Sequence, residues 1–213
     1  MISSLGIVWG SAFLFIELAL QGITPFWLTS ARIVFATILT FIIWLMRGGK
    51  LFTTEETAWR RLGIIGIIST ALPFQLISWG QKYVTSNFAG LAMASMPLFV
   101  LPLAYLFNTN EALDRSKFIG LIIGFLGIVI LFSTDFTLGD DTSLITALGK
   151  LACILAAFCY ASNSILMRKL PSIDHVGLAA VSLLIGSVWV VLWAITIEGP
   201  PPNISTETLL ILI

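Results

Sequence analysis

Long apolar runs separated by short polar stretches dominate this chain. They cover residues 2–20, 25–46, 61–84, 86–107, 117–132, 144–167 and 176–197, and a further run begins at 208. Their lengths suit helices that cross a bilayer, each of which needs ~20 residues. Residues 72–107 read as a hairpin of two such helices around the polar turn 81–87. Pro73 lies in the first arm, Pro97 and Pro102 in the second. Proline lacks an N–H and clashes with the preceding turn, so it breaks a helix in water. In a membrane, neighbouring helices satisfy the freed carbonyl and a kink survives. Kinks are therefore expected at Pro73 and Pro97, with Gln75, Trp79, Met93 and Ser95 on or near them. Such residues at bends suit the wall of a cavity; the competing reading is irregular packing in a helical bundle.

Composition points the same way. Of 213 residues, 58% are hydrophobic and 10% charged, and the mean hydropathy is +1.02. A soluble domain carries about 25% charged residues, so lipid must be the solvent for much of this chain. The formal net charge is +0, which gives no bulk attraction for nucleic acid. Cys153 and Cys159 fall on one predicted helix and face different directions, so neither a disulfide nor a metal site is expected. His175, beside a short loop, has no partners for a catalytic or metal cluster, and no nucleotide motif is present. An enzyme is not expected, nor is a cofactor.

Basic residues set the orientation. Arg47, Lys50, Arg60 and Arg61 follow the second helix, Arg115 and Lys117 the fourth, Arg168 and Lys169 the sixth. The loops after helices one, five and seven carry no Lys or Arg, and the loop after the third has Lys82 alone. The amino terminus is therefore expected in the cytoplasm. The first run has no basic leader and meets Glu17 near its end, which favours an uncleaved first helix. Asp135, Asp140, Asp141, Glu198 and Glu207 fall to the outer loops.

A weak internal echo is present. Trp9-Gly10-Ser11 in the first helix matches Tyr160-Ala161-Ser162 in the sixth, and Leu14-Phe15 matches Ile165-Leu166. The first helix runs outward and the sixth inward. A five-helix unit repeated in tandem must invert, because five is odd. In many secondary transporters inverted repeats hold the substrate site at their interface.

These residues resemble the drug/metabolite transporter superfamily, in particular its EamA-type members with ten helices in two repeats. Trp9-Gly10-Ser11 is similar to the family's opening signature, and Pro25 with Arg32 to the start of its second helix. Trp79-Gly80-Gln81 with residues 86–97 resembles the passage from third to fourth helix. Gly120, Gly124 and Gly127 resemble the helix closing the first repeat, and residues 149–163 the opening of the second. The implied fold class is an all-α polytopic membrane protein, an inverted repeat of five-helix units with the second repeat incomplete. Residues 1–135 form the first repeat; residues 144–213 hold two helices and the start of a third. The expectation is a chain truncated at its carboxyl terminus, with a self-contained seven-helix protein as the alternative.

The resemblance implies a secondary transporter that exports small metabolites, amino-acid-like or otherwise amphipathic, by alternating access. The expected setting is a bacterial inner (cytoplasmic) membrane, with a small-molecule substrate and the lipid bilayer as partners and a homodimer compatible. Candidate substrate-binding residues are Trp9, Gln75, Trp79, Met93, Tyr160 and Asn163. Trp9, Trp79 and Tyr160 suit aromatic walls; Gln75 and Asn163 either bind substrate or join helices. Arg32 lies ~10 Å below the start of its helix, where a charge is costly unless paired or hydrated. Glu17 could meet it across the short loop. The pair reads as a gate or coupling site, or Arg32 as a snorkelling anchor. Gly120, Gly124 and Gly127 are expected to form a packing face. The alternative function is a non-transporting membrane receptor or assembly subunit.

Overall fold

The computed structural model describes residues 2–52, 57–107, 114–138 and 143–202. Its elements are helices. The chain opens with α1 (Ile2–Ala19) and α2 (Pro25–Met46). A long rod follows, made of α3 (Trp59–Gly66), a π-helical turn (Ile67–Ala71) and α4 (Leu72–Gly80). Next come α5 (Ser86–Ala94), α6 (Met96–Phe107) and α7 (Arg115–Leu138). The order closes with α8 (Leu144–Met167) and α9 (His175–Glu198). Among the described residues, five spans are long and apolar enough to cross a membrane: Pro25–Met46, Trp59–Gly80, Ser86–Phe107, Leu144–Met167 and His175–Glu198. The protein is an all-α polytopic membrane protein.

The helix limits follow local chemistry. Pro25 opens α2 at its first turn, where the missing N–H has no intrahelical acceptor to lose. Gly48 and Gly49 end α2 at φ 98° and 64°, a region that costs glycine little. The π-helical turn stands immediately before Pro73, which cannot donate to the carbonyl one turn back. Ser95 interrupts the next rod: α5 ends before it, its hydroxyl bonds the Ala92 carbonyl at 2.6 Å, and Pro97 stands in the first turn of α6. The third predicted run reached residue 84, yet the helix stops at Gly80, where Gln81 N–H closes the last turn on Ile77 O at 2.8 Å.

Packing joins the early helices to the late ones. α2 lies along α9, and α4 and α6 lie against α8. Ile16, Ala19, Leu28, Ile77, Met93, Ala156 and Ala157 share one buried cluster, so α1, α2, α4, α5 and α8 meet in the same core. The closest backbone approaches use glycine: a Cβ on Gly80 would stand 2.7 Å from Cys153 Sγ, and one on Gly186 2.9 Å from Thr70 Cγ2. The predicted face on α7 is looser, because a Cβ on Gly120 or Gly127 would meet nothing within 4 Å and one on Gly124 only Leu98. Large apolar side chains cover the outer faces, among them Ile119, Ile123 and Leu126 on α7 and Trp189, Leu192 and Trp193 on α9. That surface matches lipid rather than water.

α2 and α9 are antiparallel and tied at both ends. At one end the Glu198 carboxylate accepts from Phe26 N–H at 3.2 Å and Trp27 N–H at 3.1 Å, and from the Thr24 hydroxyl. Trp27 Nε1 donates to the Gly199 carbonyl at 3.2 Å. At the other end Phe52 and Ile173 form an isolated antiparallel bridge, and Asp174 N–H donates to Leu51 O at 2.9 Å. Arg61 donates there to the Lys169 carbonyl. Arg47, Lys50, Arg61, Arg168 and Lys169 thus gather at one end of the bundle.

Candidate functional site

Arg32 is the charged residue on the buried side of α2. Leu28 and Thr29, one turn before it, are packed against the core and against α4: Thr29 Oγ1 lies 2.9 Å from Ser78 Oγ. Arg32 therefore enters the bundle where α2 and α4 converge with α8. Its guanidinium carbon stands 5.7 Å from the centre of the Phe74 ring. Phe74 meets the Tyr160 ring edge-to-face, with centroids 6.4 Å apart at 80°. Arg32 Nη1 is buried and has no hydrogen-bond partner.

Energetics make that arrangement unusual. An arginine costs ~2.5–3.5 kcal/mol at the centre of a membrane helix on insertion scales, an upper bound for Arg32 about a third of the way along α2. A cation–π contact returns ~0.5–2 kcal/mol. The aromatic cover leaves at least one donor of the guanidinium unspent. Gln75, next to Phe74, is 6% exposed, and its Nε2 also has no partner.

The other candidates divide among separate places. Trp9 and Met93 line a groove of 630 Å³ between α1 and α5, with Phe13, Asn87 and Gly90 in its wall. Met93 is 9% exposed and reaches the shared core, whereas Trp9 is 58% exposed. Asn163 lines a second pocket of 370 Å³ with Ser69, Thr70, His175 and Ser182. Its Oδ1 and Ser182 Oγ lack partners. That pocket borders the π-helical turn, a feature that often marks functional positions in helices. Trp79 packs on Tyr83 at 5.2 Å instead of joining Tyr160.

Glu17 and Arg32 are not brought together. Glu17 accepts from Ser86 N–H at 2.8 Å, at the amino end of α5, where a carboxylate also meets the favourable end of the helix dipole. Gln81, buried beside it, donates from Nε2 to the Phe13 carbonyl at 2.8 Å. Phe74, Ser182 and Glu198 were not among the sequence candidates. Phe74 had a usable signal, an aromatic between Pro73 and the polar Gln75. Ser182 had none, since a serine in an apolar run reads as packing.

Relatives agree with the fold and narrow the family. The model of the EamA-like transporter family matches residues 1–133. An uncharacterized transporter encoded in the trpA 3′ region of Buchnera aphidicola subsp. Schlechtendalia chinensis is 32% identical over 156 residues, 73% of this chain and 49% of that protein. The uncharacterized transporter YoaV of Bacillus subtilis is 21% identical over 201 residues, 94% of this chain and 67% of that protein. The chain thus spans about half the length of the first of these relatives and two thirds of the second. A solved crystal structure superposes at a TM-score of 0.63 with 20% identity, over 99% of this chain and 73% of that one. At that identity it speaks for the fold alone. The chain belongs to the EamA-like transporter family.

Proposed function

We propose that this chain serves a secondary transporter that exports small metabolites, amino-acid-like or otherwise amphipathic, across the cytoplasmic membrane. The two repeats alternate access to a site between them. The observation that carries this reading is the meeting of Arg32 and Phe74, from the first repeat, with Tyr160, from the second. Unspent polar groups at a repeat interface are what a substrate would satisfy. Gln75, Asn163, Trp9 and Met93 are the further wall residues, and Trp79 flanks them. Glu17 and Arg32 act as gate or coupling groups, and Pro73 and Pro97 mark the bends. The gathering of basic residues at one end supports a cytoplasmic amino terminus.

Flux in proteoliposomes of the full-length protein tests the reading. Uptake or counterflow of amino-acid-like solutes without nucleotide is expected. Specific ligand binding with no flux would instead mark a receptor or assembly subunit. Glu17→Gln examines coupling: a transport pH profile identical to wild type would remove Glu17 from that role.

A further inference from the structure

We infer that Arg32 docks the carboxylate of an amphipathic monocarboxylate, an amino acid included, beside the packed rings of Phe74 and Tyr160; calling that ligand the substrate rests on the transporter reading above. A guanidinium has five N–H donors and no acceptor capacity, so its buried Nη1 calls for an acceptor. Among the described residues, the acids near the core are committed elsewhere. Glu17 holds Ser86 N–H, Glu198 holds Phe26 and Trp27 N–H, and Asp174 holds Gly177 N–H at 2.7 Å. Arg32 Nη1 remains buried without a partner, and so does Gln75 Nε2 beside Phe74.

Two unspent donors, Arg32 Nη1 on α2 and Gln75 Nε2 on α4, call for a group that only accepts. A carboxylate does so, and its two oxygens match the planar fork of arginine. A single guanidinium matches a single carboxylate. The surroundings set the rest of the ligand: Phe74 and Tyr160, packed edge-to-face, form an apolar wall, and Leu28 and Ile33 on α2 are buried and apolar. A ligand with one anionic end and an apolar body would bridge both repeats and satisfy the arginine at once.

Binding to the purified full-length protein, read as thermal stabilisation, tests this. The probes are 3-phenylpropionate and L-phenylalanine, each against its amide. Saturable binding of both acids is expected, at least about tenfold tighter than the amides. Arg32→Gln is expected to abolish that preference and Arg32→Lys to keep part of it. Phenylglyoxal modification of wild type needs no variant, and 3-phenylpropionate is expected to protect Arg32, read by peptide mass spectrometry. No saturable binding of the acids, equal binding of acid and amide, an Arg32→Gln protein that still prefers the acid, or undiminished modification of Arg32 would each overturn the site. Acid-selective binding without flux would leave the site standing and remove the transport reading. Flux with no acid preference would do the reverse.

Discussion

A methyl group added at Gly80 would stand 2.7 Å from Cys153 Sγ and 2.8 Å from the Gly149 carbonyl. Backbone cannot yield as a flexible side-chain tip can. Gly80→Ala is therefore expected to cost ~1–3 kcal/mol by overpacking, read as a lowered melting temperature in detergent. Gly120→Ala, with nothing within 4 Å of the new methyl, is expected to leave the melt nearly unchanged. The contrast shows what a single sequence displays. Gly120 and Gly124 have a spacing that can be read along one helix; Gly80 and Gly149 lie on two helices, and only the fold pairs them. Arg32 was conspicuous because a charge in an apolar run is costly wherever the chain goes. Tyr160 was already a candidate aromatic wall and Phe74 stands between Pro73 and Gln75, but that Phe74 meets both Arg32 and Tyr160 shows only once α2, α4 and α8 converge.

Helix spans were legible because bilayer thickness fixes their length, and the runs at 25–46, 86–107 and 144–167 coincide with the helices found, apart from the interruption at Ser95. Their ends were less legible, since they depend on partners far away in sequence. Thr24 precedes α2 without capping it through its own side chain. The first N–H groups of α2 are met instead by Glu198, which the sequence assigns to an outer loop. Glu198→Ala removes that acceptor from two backbone donors and from the dipole's positive end. It is expected to destabilise the protein by ~1–2 kcal/mol, seen as an earlier thermal transition. Glu198→Gln, which can still accept, is expected to fall between the two.

The whole molecule is organised by the antiparallel pair α2 and α9, held by Glu198 at one end and by the Leu51–Asp174 contact at the other. The proposed repeats, with an odd helix number per unit, would run in opposite directions, and the basic residues carry the proposed orientation; both proposals need the sequence alone. Which helices touch is not legible there, because every run is apolar on several faces. Single cysteines at Lys50, Lys169, Gln21 and Pro201, all exposed, test the arrangement most directly; the native Cys153 and Cys159 are buried. A membrane-impermeant maleimide is applied to right-side-out and inverted vesicles. The expected result is labelling of positions 50 and 169 from the cytoplasmic side only, and of 21 and 201 from the outer side only. Labelling of 50 and 169 from opposite sides, or of 50 and 21 from the same side, would contradict it.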